Sequence, residues 1–238
     1  MIREFSRNQI NWHQAFVEVA LIGAGVLLAL AVDAWWDEQA ERSAESEYLL
    51  SLQREFETNR ETLVASIENE LQIIGWGKML HQHLDSGLSE ISEDDLHKLI
   101  GEFYWLPSWE SVTGTYDEMV GSGRLLYLRN EVLRRKLSQY AHQLENLGEV
   151  EQQAWTNWYM EQSPFLRDHI NMSKLDWIDG YSPDSPLSID IQELRSPEFH
   201  NLVTSYMSAR SDILFSYQVT IEQGDEILML IQSDLSGD

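Results

Sequence analysis

The chain has 238 residues, 40 acidic side chains against 16 Lys and Arg, a formal charge of −24 and no cysteine. So few basic groups cannot neutralise a phosphate backbone, which excludes nucleic acid as a partner. The missing cysteines exclude disulfides, thiolate zinc sites and thiol nucleophiles, while the 43% hydrophobic share is enough for a packed core.

Residues 1–14 read as a short cytoplasmic segment carrying Arg3 and Arg7. Residues 15–36, AFVEVALIGAGVLLALAVDAWW, read as a transmembrane helix. At about 1.5 Å per residue, roughly 20 helical residues cross a hydrocarbon core of about 30 Å. Val19–Val32 is uncharged, with Glu18 and Asp33 near its ends. Trp12 precedes the segment and Trp35 and Trp36 close it, as aromatic residues do at bilayer interfaces. Arg3 and Arg7 lie before it, whereas Asp37, Glu38, Glu41, Glu45 and Glu47 follow, with only Arg42 among them. That bias keeps the N-terminus in the cytoplasm and sends the rest outward. A cleaved signal peptide is the rival reading, since Ala29-Leu30-Ala31 resembles a small-x-small cleavage site. Glu18 interrupts the apolar run that such a peptide needs. On a helical wheel Glu18, Ile22, Gly25, Ala29 and Asp33 share one face, and small residues spaced by four let two helices approach closely in lipid.

Residues 37–238 read as one extracytoplasmic helical domain, so the fold class is all-α: one N-terminal transmembrane helix continuing into an elongated bundle. A helix over about 37–84 carries Leu49, Leu52, Phe56, Leu63, Ile67 and Ile74 at helical spacing. No Gly or Pro separates it from the membrane segment; Gly75 and Gly77 weaken it, and Asp85-Ser86-Gly87 ends it. Ser92 caps a short helix that Pro107 stops, and Thr115 opens another that Gly121-Ser122-Gly123 ends. Asn130 starts a long helix over about 130–163, with Leu133, Leu137, Tyr140, Leu144, Leu147, Trp155 and Trp158 as its buried stripe. Trp177–Arg195 reads as a long loop. Ser196-Pro197 then begins a last helix over about 197–235, whose near-heptad register from Phe199 to Leu235 suits antiparallel packing.

Several of these stretches together resemble a family of uncharacterised bacterial single-pass membrane proteins, known as a domain of unknown function. The likeness is carried by Gly25-Val26-Leu27-Leu28-Ala29-Leu30, Asp33-Ala34-Trp35-Trp36-Asp37-Glu38, Tyr48-Leu49-Leu50-Ser51-Leu52, Thr115-Tyr116-Asp117-Glu118-Met119, Ser122-Gly123 and Asn130. It covers most of the chain, and its motifs are structural. This sequence departs from the family in having few basic residues after the apolar helix. The resemblance implies a bacterial inner-membrane location, a periplasmic bulk and a helical fold. It implies no activity, cofactor or catalytic residue.

Chemistry-bearing motifs are sparse. His81 and His83 point to different sides of a helix, and His97, His142, His169 and His200 stand alone. Asp176, Asp179, Asp184 and Asp190 lack the order of a calcium loop. Gly121-Ser122-Gly123 lacks the Lys of a phosphate loop, and Ser122 has no nucleophile-elbow context. Tyr116-Asp117-Glu118 is placed to line an interhelical groove, with a structural hydrogen bond as its plainer role. The expectation is therefore no catalytic residue, no metal and no cofactor. The best-fitting role is a membrane-anchored scaffold whose partners are the lipid bilayer and either further copies of the chain or another membrane protein. An extracytoplasmic ligand sensor or enzyme, and an oligomeric channel with Glu18 on its axis, are the alternatives.

Overall fold

The structure, a computed structural model, describes residues 12–175 and 189–236, with side chains from Phe16 onward. Every described regular element is helical. Seven α-helices follow in order: α1 Trp12–Asp85, α2 Glu93–Phe103, α3 Gly114–Gly121, α4 Glu131–Asn157, α5 Ser163–His169, α6 Ile191–Leu194 and α7 Pro197–Ser236. The chain divides into two compact units, residues 1–48 and residues 49–238.

In the first unit α1 runs without a break through the apolar segment, and each described side chain from Phe16 to Trp36 is exposed. Packing begins at Leu49 in the second unit, so residues 37–48 belong with the first. This stretch is acidic, with Asp37, Glu38, Glu41, Glu45 and Glu47, and offers little apolar surface to bury.

The second unit is built on three long helices. Arg60 of α1 pairs with Asp225 of α7 at 2.8 Å, Glu70 with Arg210, and His81 with Thr204 at 3.3 Å. As one number rises the other falls, so α1 and α7 are antiparallel. The same holds for α4 and α7: Asn130 bonds Asp234 at 2.9 Å, Lys136 pairs with Glu226, and Gln143 bonds Thr220 at 3.2 Å. Leu52, Phe56, Leu63, Leu80, Leu133, Leu137, Leu147, Phe199, Val203, Ile213, Ile227 and Ile231 are buried between these helices and their satellites. Each such side chain removed from water stabilises the fold by about 1.5–3 kcal/mol before entropy is counted. A second apolar cluster gathers α2, α5 and α6 around Phe103, Tyr104, Phe165, Leu166, Leu194 and Phe199.

Local chemistry sets the helix ends. Ser92 Oγ accepts the Asp95 N–H at 3.1 Å, Asn130 Oδ1 accepts those of Val132 and Leu133, and Ser196 Oγ accepts that of Phe199. α1 ends where the Leu88 N–H reaches His83 O and the Gly87 N–H reaches Leu84 O, with Gly87 at φ 68°. Two elements differ from the sequence expectation. The helix expected over 130–163 leaves α geometry at Trp158–Gln162, a π turn that sets the buried Trp158 and Gln162 inward. The expected loop at Trp177–Arg195 contains a helical turn at its end, α6, because the Asp190 carboxylate accepts the N–H groups of Gln192 and Glu193. Residues 177–188 of that loop, with Asp179 and Asp184, lie outside the described residues, as does Asp176 before it.

Neither Gly75 nor Gly77 interrupts α1. Gly75 is exposed, with nothing within 4 Å of an added Cβ. Gly77 is buried, and an added Cβ would stand 2.6 Å from a Phe103 ring carbon and 2.8 Å from Met207 Cγ. The two glycines therefore predict opposite responses to alanine. Gly75→Ala gains up to about 1 kcal/mol from helix propensity, whereas Gly77→Ala loses about 1–2 kcal/mol because overpacking outweighs that gain. Denaturant unfolding of the two variants beside the wild type reads both signs.

Candidate functional site

The residues that the sequence marks as a packing face lie along the first unit. Glu18, Ile22, Gly25, Ala29 and Asp33 are all exposed on α1, and nothing lies within 4 Å of an added Cβ at Gly25. Trp35 and Trp36 are 60% and 68% exposed, their rings edge-on at 6.1 Å. Trp12 is the first residue of α1, but its side chain lies outside the described residues, as do Arg3 and Arg7. Within its unit this face is unpartnered.

The second unit holds its chemistry where the chain leaves helical geometry. Residues 105–113, between α2 and α3, form a strap over the bundle. Thr113 O accepts the Asp117 N–H of α3 at 2.9 Å, and side chains from three helices bond the backbone of Trp105, Trp109 and Val112. Tyr206 Oη donates to Trp105 O at 3.2 Å, and Glu151 Oε1 accepts the Trp109 N–H at 3.2 Å. Asn59, almost wholly buried, takes the Val112 N–H at 2.7 Å and donates to Val112 O at 2.8 Å. Glu55 Oε2 accepts the Thr115 N–H, just beyond the strap in the first turn of α3, at 2.7 Å. Thr62 Oγ1 accepts the Trp109 indole N–H at 2.9 Å. Glu55, Asn59 and Thr62 recur at i, i+4 and i+7, so α1 presents a polar stripe beside its apolar one.

A charged pair lies deeper on the same helix. Glu70 of α1 and Arg210 of α7 are both fully buried and form a salt bridge. The Arg210 guanidinium carbon stands 5.9 Å from the Tyr206 ring centroid, within cation–π range. Among the described residues no acceptor reaches Arg210 Nε or Nη1, and no donor reaches Glu70 Oε2. Burial pushes the Glu70 carboxyl up to about 7 from its ordinary 4.5; Arg210 opposes this, and Glu151 adds to it. Glu151 also accepts the Tyr217 hydroxyl at 2.6 Å, and burial together with that bond holds the phenol protonated well above its usual range.

Two concave regions flank this scaffold. One, about 470 Å³, lies between α1, the end of the strap, α3 and α4, with Glu55, Phe56, Val112, Tyr116, Tyr140 and Glu145 among its walls. Tyr116 and Asp117 of the Tyr-Asp-Glu segment both line it, and Asp117 also accepts a hydrogen bond from Thr113 Oγ1 at 2.8 Å. The other, about 670 Å³, is a groove between α4 and α7 lined by Gln143, Asn146, Ser205, Ser208 and Ala209, with Phe215 on its wall 68% exposed.

The histidines sort by environment. His81 and His200, far apart in sequence, bring their rings to 6.0 Å. His97 is buried, its Nδ1 2.9 Å from Glu93 O, and burial lowers its pKa. Among the described residues no three His, Asp or Glu side chains converge as a metal ion would require. Sequence reasoning did not find Glu55, Asn59, Glu70, Glu151 or Arg210. Each is a polar residue on a helix, and its partner lies far along the chain. Comparison with known proteins gives no matching family, no matching curated sequence and no matching solved structure.

The Glu70 environment predicts a pH dependence with a definite sign. Between pH 4.5 and about 7 the folded chain holds a proton on Glu70 that the unfolded chain has released. Stability from this group is therefore full below 4.5 and falls as pH rises towards 7. Unfolding free energies of wild type and Glu70→Gln, measured across that window, must diverge: the variant lacks this downward slope. Parallel profiles would show that the carboxylate stays ionised against Arg210 throughout.

Proposed function

We propose that the chain is a single-pass membrane-anchored helical protein, with residues 15–36 in the bilayer, its N-terminus in the cytoplasm and its bulk outside. In this reading it acts as a scaffold, joining copies of itself or another membrane protein through the anchor face. One observation carries the proposal. The apolar stretch of α1 is long enough to cross a bilayer, and the protein covers none of it. Phe16, Val19, Leu21, Ile22, Leu27, Leu28 and Leu30 are each more than half exposed. They point to all sides of the helix, and so large a continuous apolar surface in water is untenable. Lipid would cover the whole circumference. The aromatic pair Trp35 and Trp36 suits the interface, and the acidic residues from Asp37 onward suit water beyond it. Gly25 and Ala29, beside Glu18, support association, because small residues allow the close backbone approach that packing in lipid needs.

A second reading, an extracytoplasmic ligand sensor on the same anchor, is favoured by the cavity between α1, α3 and α4. Scaffold and sensor share the anchor, so its test comes first. The full chain, expressed in a bacterium, should stay with the membrane pellet after alkaline carbonate and should keep its first residues by intact mass. Release into the supernatant, or a mature chain starting after Ala31, defeats the anchor reading. For the scaffold, the double variant Gly25→Leu, Ala29→Leu is expected to weaken association in micelles roughly tenfold. Unchanged association moves the contact off this face.

A further inference from the structure

We propose that the cavity between α1, the end of the strap, α3 and α4 binds a small organic cation, an amine or quaternary ammonium group on a short apolar body. The cavity lies wholly within residues 55–145, so the proposal stands independently of the membrane anchor.

Size comes first. About 470 Å³ falls in the range of small-molecule sites. Its charge is one-sided: Glu55, Asp117 and Glu145 are in the walls, and no Lys or Arg is. Asp117 is held by the Thr113 hydroxyl, and Glu145 meets His142 at 3.0 Å on the exposed rim. Glu55 differs from both, being 7% exposed. Its Oε2 takes the Thr115 N–H, and among the described residues no donor reaches Oε1 and no cation pairs with the group. Oε1 is not sealed from water, unlike the unpaired oxygen of Glu70, so the charge of Glu55 is accessible from the cavity that its side chain lines. Thr115, in the first turn of α3, holds the other oxygen and fixes the carboxylate in that wall. A cation entering the cavity would meet a positioned carboxylate with one oxygen still to pair.

The remaining walls fit the body of such a ligand. Phe56 and Tyr140 pack with ring centroids 4.8 Å apart, and Leu137, Ala141, Leu144 and Val112 continue the apolar surface. Aromatic faces attract alkylammonium groups, most strongly where water is excluded. Burial and the charge of Glu55 keep the Tyr140 hydroxyl protonated, so the ring offers a neutral π face and not a further anion. Anions are disfavoured by three carboxylates, and neutral polar ligands would leave Glu55 without a counter-charge.

The test uses the full chain in detergent micelles and three probes: choline, 1,4-diaminobutane, and 3,3-dimethyl-1-butanol as the neutral carbon isostere of choline. Titration calorimetry should show saturable binding of at least one of the two cations, and at least tenfold weaker binding of the isostere. Glu55→Gln keeps an acceptor for the Thr115 N–H but removes the charge, and should weaken cation binding at least tenfold with unchanged helicity. If that variant fails to fold, Asp117→Asn, at an exposed position on the wall, takes its place with a smaller expected loss. Glu90→Gln, exposed and outside the cavity, should leave binding unchanged, which separates the site from the diffuse attraction of a chain with charge −24. No saturable binding of either cation, equal binding of the isostere, or equal losses in the Glu55 and Glu90 variants would overturn the proposal.

Discussion

Backbone that leaves helical geometry inside a helical bundle must find partners for its N–H and C=O groups, or it forfeits roughly 1–3 kcal/mol for each group buried unpaired. The strap over residues 105–113 imposes that constraint here, and side chains of α1, α4 and α7 answer part of it. Asn59 offers the strap an amide that pairs with Val112 as a neighbouring strand would. Glu151 takes the Trp109 N–H and Tyr206 donates to Trp105 O, while Thr62 holds the Trp109 indole and Glu55 the first turn of α3. These side chains come from α1, α4 and α7, so one irregular segment fixes the rotation of all three long helices about their axes. A helix free to rotate would carry its polar stripe away from the strap and orphan both sides of each bond.

The same constraint explains which parts of the fold are legible in the sequence. Apolar periodicity marks α1, α4 and α7, because a helix that buries one face must repeat its large residues every three or four positions. Ser92, Asn130 and Ser196 mark their helix starts because a cap is a local device, closed within three residues. The buried polar groups carry no such mark. Glu55 finds its partner 60 residues away, Asn59 finds its own 53 away, and Glu70 meets Arg210 across 140. In a chain with 40 acids, Glu55 and Glu70 look like members of a solvated face. Gly77 misleads in the same way. Its sequence neighbours suggest a weak point in the helix, whereas Phe103 and Met207 require the missing Cβ. His81 and His200 likewise meet only through tertiary packing.

The two units invert the usual relation between polarity and exposure. In the first, leucines, valines and tryptophans are bare. In the second, an arginine and two glutamates are buried. The bare apolar helix is consistent with hydrocarbon as its surroundings, which is the basis of the anchor reading. The buried ions need a different account. A buried pair such as Glu70–Arg210 is a poor source of net stability, since desolvation consumes much of the Coulomb gain. It does discriminate between arrangements, because a slip of α7 along α1 by one turn would leave a full charge without its partner.

Glu55 is where these threads meet. The Thr115 N–H needs only one of its oxygens, and a neutral Gln would serve that bond without the cost of burying a charge. Retaining a carboxylate there is the more expensive solution for a helix end alone. Glu55 lines a space walled also by Phe56 and Tyr140, and no Lys or Arg is among the described residues of that wall. Thr115 anchors the segment that closes one side of that space, and Glu55 anchors Thr115. The bond that holds the first turn of α3 and the charge that would hold a cation therefore belong to one side chain.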